Sequence, residues 1–180
     1  MAINLSSYSE ITLSFWLYWN SWANSDALAG EYSTNYNSSN GGFILDANNS
    51  SPDGGTFIIS LHNTGGYTAA EFTRPSAAAW HHYLVQFNIG STGSGQIPAI
   101  YVDGVTQSLT YPETAGTSGS FGNYTFYFMS RDGSSLFGAG QMANVAIWGG
   151  VLLNTNEALA LAMGRFPIKS ASNRSFFCAP

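Results

Sequence analysis

Residues Ile11–Trp19 read ITLSFWLYW, and this stretch decides the fold class. Large apolar side chains recur at every second position, and a period of two places them on one face of a β-strand. These side chains are Ile11, Leu13, Phe15, Leu17 and Trp19. The opposite face carries Thr12, Ser14, Trp16 and Tyr18. We therefore predict a strand with one face in a hydrophobic core and a second face that is partly aromatic.

Further short apolar or alternating segments follow along the chain, each bounded by residues that favour turns. They are Ile3–Ser6, Ala27–Tyr32, Gly42–Asp46, Thr56–His62, Tyr67–Phe72, Trp80–Asn88, Ala99–Val102, Val105–Leu109, Tyr124–Ser130 and Gln141–Trp148. Asp103-Gly104 separates two of these runs and predicts a two-residue hairpin turn. Many short strands at regular spacing predict an all-β sandwich of two antiparallel sheets.

One helix is predicted near the end of the chain. Asn154 can cap a helix over residues 154–163 whose third position is Glu157, and Gly164 can close it. The phenylalanine-containing segment that follows has no clear period and predicts an extended C-terminal arm. The predicted organisation is one domain over residues 1–164 and an arm over residues 165–180.

Composition and charge narrow the range of partners. The chain has 180 residues, 44% of them hydrophobic, with a net charge of −5 and five Lys and Arg residues. Few cations argue against binding the phosphate backbone of a nucleic acid. No run approaches the roughly 18 apolar residues that span a bilayer, so we expect no membrane insertion. The first basic residue is Arg74, and the start of the chain therefore does not resemble a secretory signal. Cys178 is the single cysteine, which excludes an internal disulfide.

Several short motifs occur in the order and at the spacing of a known family. They are ITLSFWLYW, GFIL at 42–45, WHHYLV at 80–85, YVDGV at 101–105 and FGAGQMANVAIW at 137–148. Together with the helix that ends at Gly164, they resemble the laminin G-like members of the concanavalin A-like lectin and glucanase superfamily. The resemblance covers Ile3 to Gly164. It implies a two-sheet antiparallel jelly-roll sandwich with one short helix near the C-terminus.

The residues of these motifs have mainly structural interpretations. We expect Trp80 to close one end of the core. His81 and His82 are strand neighbours that point to opposite faces, so they cannot easily bind one metal, and one of them is interpreted as a core or sheet-face histidine. Asp103 is interpreted as the first residue of its turn. These motifs indicate the fold, and we expect function to lie at the rims of the sandwich.

Catalysis of the superfamily's usual type is not expected. Its glycan hydrolases commonly use two Glu on one strand, because hydrolysis needs two carboxyl groups roughly 5–9.5 Å apart. Here the glutamates are scattered over separate elements, and none has a second carboxylate two or four residues away. They are Glu10, Glu31, Glu71, Glu113 and Glu157. We predict that the chain is not an enzyme, and glycoside hydrolysis is kept as the last alternative.

No cofactor is required by this interpretation, but calcium stays open. Some members of the superfamily hold calcium at a rim, through Asp and backbone carbonyl oxygens. Asp132 and Asp53 lie in predicted loops that can supply such ligands. The alternative for both is that they are ordinary turn residues.

Aromatic and amide side chains gather in or beside the predicted rim loops. The candidates for ligand binding are Trp22, Tyr32, Tyr36, Asn37, Asn40 and Tyr67. Aromatic faces stack on sugars and amides hydrogen-bond to them, so glycans or other surface molecules are the predicted partners. The alternative is that these aromatics fill the edges of the sandwich.

The predicted role is a non-catalytic adhesion or decoration module on the surface of a virus or phage particle. Low charge, the absence of a signal-like start and the phenylalanine-containing arm favour assembly with copies of itself or with other virion proteins. One alternative is a purely architectural virion assembly protein without glycan binding. Another is a secreted lectin-like carbohydrate-binding module in an extracellular or cell-surface location.

Overall fold

Two antiparallel β-sheets make up most of the protein in a computed structural model, which describes residues 2–22, 27–34, 40–48, 55–165 and 175–178. The first sheet contains β1 (Ala2–Asn4), β3 (Ala27–Tyr32), β4 (Phe43–Asn48), β5 (Thr56–Asn63), β6 (Gly66–Thr73), β10 (Thr110–Thr114) and β11 (Asn123–Phe128). Its seven strands are ordered β1, β11, β3, β4, β5, β6, β10. The predicted jelly-roll sandwich is confirmed.

The second sheet has six strands. They are β2 (Glu10–Trp19), β7 (Trp80–Asn88), β8 (Ile100–Val102), β9 (Val105–Thr106), β12 (Gly140–Gly149) and β13 (Ser175–Cys178). Their order is β13, β12, β2, β7, β8, β9. The predicted arm thus contributes β13, which pairs with β12 at one edge, while the domain bounds stay a prediction.

The core lies between the two sheets and contains the predicted inner face of β2. Its members are buried from Ile11 through Trp19 at alternate positions. Aromatic rings join the sheets: Phe43 of β4 stacks on Phe87 of β7 with 4.7 Å between ring centroids. Each fully buried large apolar side chain contributes roughly 1.5–3 kcal/mol, so this interface holds the sandwich together.

A second, smaller hydrophobic cluster lies on the outer face of the six-stranded sheet. The helix α1 (Thr155–Ala162) covers part of this face with Ala158 and Leu161. Its predicted capping box is present, because Asn154 accepts from the Glu157 backbone and the Glu157 side chain accepts from the Asn154 backbone. A further 3₁₀ helix spans Gly93–Gln96. No described helix combines the length and hydrophobicity needed to span a membrane.

The segment between β12 and α1 is held to the sheet by polar side chains. The Thr12 hydroxyl donates to the Val151 carbonyl at 2.8 Å and accepts from the Leu153 backbone at 3.0 Å. The Gln86 amide donates to the Leu153 carbonyl at 2.7 Å. These bonds set where α1 rests on the outer face.

The structure differs from the sequence-based expectation at Trp80 and at β10. Trp80 does not close the core, because it lies on the outer face of β7 with 41% of its surface exposed. The strand β10 was not predicted; its Pro112 and polar neighbours resemble a loop, and a proline is tolerated there because β10 is an edge strand.

Candidate functional site

Four rings from two neighbouring strands form an array on the outer face of the six-stranded sheet. Trp16 and Tyr18 of β2 pair in register with His82 and Trp80 of β7. The ring centroids of Trp16 and His82 are 5.4 Å apart, and those of Tyr18 and Trp80 are 5.7 Å apart. We call these four residues the ring array. Trp80 is its most exposed member, and the array therefore presents aromatic surface to solvent.

A small cavity of about 60 Å³ opens where the ring array meets α1. Its apolar walls come from Trp16, Ala146, Trp148 and Leu161. Sheet residues thus provide most of the apolar lining, and the helix supplies Leu161.

Polar groups also line this cavity. Ser14 and His82 are buried, whereas Asn144 and Arg165 are exposed. The cavity thus combines an apolar wall with two buried polar side chains and two accessible ones.

His82 is the buried titratable group of this cavity. Only 1% of its surface is exposed, and its Nε2 lies 2.8 Å from the Ser14 hydroxyl. Burial lowers the pKa of His82 to about 4, partly offset by the negative charge of Asp103. The imidazole is therefore neutral at pH 7. Its Nδ1 has no hydrogen-bond partner among the described residues, and such a buried group costs roughly 1–3 kcal/mol.

Asp103 ties the neighbouring hairpin to β7. One carboxylate oxygen accepts from the His82 backbone at 2.9 Å, and the other lies 2.7 Å from Nδ1 of His81. Asp103 and Gly104 have positive φ angles of 52° and 79°, which confirms the predicted two-residue turn. His81 and His82 point to opposite faces as predicted, and His82 is the buried one.

Two of the sequence-predicted residues lie near each other at a rim of the seven-stranded sheet. The Tyr67 ring stacks on His62 with 5.1 Å between centroids, and Tyr67 is 40% exposed. Asn40 precedes Gly41, whose backbone donates to the His62 carbonyl at 2.8 Å. We call Asn40, His62 and Tyr67 the Tyr67 rim. Tyr36 and Asn37, the other candidates of this loop, lie outside the described residues.

Tyr32 does not belong to the rim surface, and its prediction as a ligand-binding residue is corrected here. Its side chain is fully buried, and its hydroxyl lies 2.8 Å from the carbonyls of Ile3 and Gly122. The same oxygen accepts from the backbone of Leu5 and Tyr124, each at 3.3 Å. Tyr32 therefore joins several segments inside the core.

Trp22 is half-buried and engaged within the protein. Its indole Nε1 donates to the Pro75 carbonyl at 2.9 Å, and its ring stacks on Trp19 with 5.3 Å between centroids. The Arg74 guanidinium lies 4.7 Å from the Trp22 ring centroid. The Trp22 indole therefore makes its contacts within the protein.

The calcium candidates are only partly described. Asp132 is exposed in a turn with a φ of 43°; its carboxylate accepts from Ser134, and its backbone donates to the buried Glu31 carboxylate at 2.9 Å. Asp53 lies outside the described residues. No group of three or more His, Cys, Asp or Glu suited to a metal occurs within the ranges that the structure describes. The calcium prediction stays open.

The glutamates make structural hydrogen bonds on separate elements. Glu10 accepts from Asn88 at 2.9 Å, Glu71 accepts from Thr110 at 2.8 Å, and Glu157 caps α1. Glu113 accepts from the backbone of the next two residues. Glu31 accepts from Ser33 and from the Asp132 backbone. The non-enzymatic interpretation stays a prediction.

Sequence reasoning missed the ring array and its cavity. The alternation of β2 did place Trp16 and Tyr18 on the second face, but it did not show which residues of β7 lie opposite them. The pairing of Trp80 with Tyr18 depends on the strand register. The cavity depends in addition on where α1 rests.

Comparison with known proteins agrees with this fold. A laminin G family model, described as the concanavalin A-like lectin/glucanases superfamily, matches residues 2–156. A search of curated proteins gave no match.

Solved structures of similar fold include a native heptameric SAP-like pentraxin from Limulus polyphemus, with a TM-score of 0.59, 12% identity and coverage of 96% of this chain and 80% of that one. A second similar structure is domain 4 of AbnA, an extracellular arabinanase from Geobacillus stearothermophilus, in complex with arabinotriose. Its TM-score is 0.59 at 14% identity, and the match covers 89% of this chain and 71% of that one. The CBM40 domain of a Ruminococcus gnavus IT-sialidase, bound to α2,3 sialyllactose, has a TM-score of 0.59, 12% identity and coverage of 90% and 92%. At such identities the likeness shows a common fold.

Proposed function

The chain belongs to the concanavalin A-like lectin/glucanases superfamily, and from this premise we propose that it is a non-catalytic glycan-binding module. The observation that carries this proposal is the ring array on the outer face of the six-stranded sheet. Trp80 packs against Tyr18, Trp16 lies two residues before Tyr18 on the same face of β2, and Trp80 is the most exposed of the three.

Sugars suit such a surface for a physical reason. Aromatic rings combine a large apolar face with limited conformational freedom, and the C–H face of a sugar ring packs against them. Residues two apart on a strand are roughly 6.8 Å apart, close to the width of one sugar ring. Trp16 and Tyr18 are spaced in this way, so the array can take neighbouring units of a saccharide. Two proteins of the same fold were solved with saccharides bound, which supports the proposal.

The Tyr67 rim is the alternative to the ring array as the glycan-binding surface. Its exposed ring and the neighbouring Asn40 provide a stacking face and polar groups. His62 and Tyr67 belong to the seven-stranded sheet, whereas the ring array belongs to the six-stranded sheet. A variant at one surface is therefore a natural control for the other.

A glycan array tests the proposal with three proteins: wild type, Trp80→Ala and Tyr67→Ala. We expect wild type to bind a defined set of glycans and Trp80→Ala to bind them roughly tenfold more weakly, which corresponds to about 1.4 kcal/mol. Tyr67→Ala is expected to keep its affinity. Loss of binding in Tyr67→Ala alone would move the site to the rim, whereas no glycan binding by wild type would contradict the function.

We also propose that binding needs no metal. The same array measured with EDTA and with added calcium is expected to give equal affinities. A clear gain with calcium would instead support a rim site that includes Asp132 or Asp53.

The proposed location is the surface of a virus or phage particle, where the module associates with copies of itself or with other virion proteins. An extracellular or cell-surface location is the alternative, as is a purely architectural role. Only 8% of the residues are charged, and this low fraction is our reason for proposing assembly into a larger particle. Antibodies against the chain are expected to label intact particles from its source. Labelling confined to secreted material would favour the alternative location.

A further inference from the structure

We propose that the cavity beside the ring array is a subsite for the acetamido group of an N-acetylated sugar. This inference rests on the proposed glycan binding and names the class of saccharide. The cavity and the ring array share Trp16 and His82. A sugar ring packed on Trp16 therefore lies next to the cavity mouth, and a substituent of that ring can enter.

The size of the cavity suits this substituent. A buried water needs roughly 10–15 Å³ of such space, so 60 Å³ admits about four groups of that size. An acetamido group has four non-hydrogen atoms. A whole sugar ring is too large for the cavity and has to stay outside, on the aromatic surface.

The chemistry of the lining also suits this substituent. An acetamido group has a methyl end, and Ala146, Trp148 and Leu161 provide apolar surface for it. It also has one hydrogen-bond donor and one acceptor. Ser14 and His82 line the same cavity and are bonded to each other, whereas Asn144 and Arg165 supply the accessible polar groups of the lining. A purely apolar group would leave these polar atoms without new bonds.

The exposed polar residues are placed for the rest of the sugar. Asn144 and Arg165 line the cavity and are open to solvent. An amide both donates and accepts hydrogen bonds, and a guanidinium donates several, so both can bond to sugar hydroxyls. An apolar peptide side chain would use the apolar wall alone, and it is the competing occupant.

The test compares two trisaccharides that differ at the 2-position of each sugar. N,N′,N″-triacetylchitotriose, called chitotriose below, carries an acetamido group there, and cellotriose carries a hydroxyl. We expect wild type to bind chitotriose at least about tenfold more tightly, because a site built to hydrogen-bond a group rejects the analogue that lacks it. Titration followed by the indole resonances of Trp16 and Trp148 measures the affinity and reports whether the cavity is entered.

Ala146→Leu fills the cavity from the sheet side and is expected to remove the preference while cellotriose affinity stays within about twofold. Because this residue is buried, its variant is checked for folding by circular dichroism. Asn144→Gly is the second variant: it keeps the positive φ of 50° and removes the amide, and it is expected to weaken chitotriose binding several-fold. Phe137→Ala changes an exposed aromatic side chain that lines neither the cavity nor the ring array; it is the control and is expected to bind as wild type.

The outcomes separate this inference from the proposed function. Equal affinity for both trisaccharides, or a preference that survives in Ala146→Leu, would overturn the acetamido subsite while glycan binding stands. Absence of binding to every glycan of the array would overturn both. Shifts of the Trp148 resonance with an apolar peptide but not with chitotriose would assign the cavity to a peptide side chain.

Discussion

Burial of the His82 imidazole makes the stability of the sandwich sensitive to mild acid. Its pKa is about 4 in the folded protein and about 6.5 in an unfolded chain. As the pH falls below 6.5, His82 takes up a proton in the unfolded state but stays neutral in the folded state. The contribution of His82 to the free energy of unfolding is therefore complete above pH 6.5, decreases as the pH falls towards 4, and is constant below that.

We expect this residue to reduce the free energy of unfolding by about 2.5 kcal/mol between pH 7 and pH 4.5. Urea unfolding at both pH values, in wild type and His82→Gln, measures the effect. The variant removes the titration and should lose less stability on acidification. The same measurement on His62→Gln is compared with that on His82→Gln, because burial also lowers the pKa of His62 in the folded protein. An equal loss in wild type and His82→Gln would contradict the assignment.

Single residues also show where sequence reasoning reached its limit. A tyrosine beside a loop predicts a ligand-binding ring as readily as a core ring, and Tyr32 is the second kind. The difference comes from the four backbone groups that surround its hydroxyl, and they belong to segments up to 92 residues away. Local sequence carries no information about such partners.

At the scale of elements, the β8–β9 hairpin and α1 pack so closely that one glycine is required between them. A Cβ atom at Gly104 would lie 2.8 Å from the Cα of Leu159 on α1. The φ of Gly104 is 79°, which disfavours any residue with a side chain. Both effects act at this position.

We expect Gly104→Ala to lower the free energy of unfolding more than Gly133→Ala does, by at least about 1 kcal/mol. Gly133 has a similar φ of 76°, but a Cβ there would make only ordinary contacts at 3.5 Å or more. The control thus contains the backbone strain without the helix contact. Chemical unfolding of the two variants measures the difference, and equal destabilisation would show that the helix accommodates the methyl group.

Elements with a strong local pattern were predicted well. β3 (Ala27–Tyr32) and β7 (Trp80–Asn88) have the predicted bounds, and α1 follows its capping box. β10 was missed because it is polar and contains Pro112, so that only pairing with β6 makes it a strand. Its existence is a tertiary property.

At the scale of the molecule, β13 closes one edge of the six-stranded sheet. It pairs with β12 from Ala146 to Gly149. An unpaired edge offers free backbone donors and acceptors to other chains. The two hydrophobic clusters contain residues from Ile3 to Leu161.

We therefore expect a chain that ends at Arg165 to fold, with a lower melting temperature, and to self-associate through the β12 edge as its concentration rises. Thermal unfolding and light scattering measure these two effects, with the full chain as control. Failure of the shortened chain to fold would contradict the predicted domain of residues 1–164. An unchanged melting temperature and scattering would show that β13 contributes nothing to the edge.

The sequence by itself determined the class of the fold, because a side-chain period of two in ITLSFWLYW and its companions predicts strands with one apolar face, and many such short strands favour a sandwich. It also determined the hairpin at Asp103-Gly104 and the cap of α1, since both depend on residues close in sequence. Only the tertiary structure decided which aromatic residues face solvent. Strand register aligned Trp80 with Tyr18, and the position of α1 left a cavity beside Trp16; both are set by contacts between residues distant along the chain.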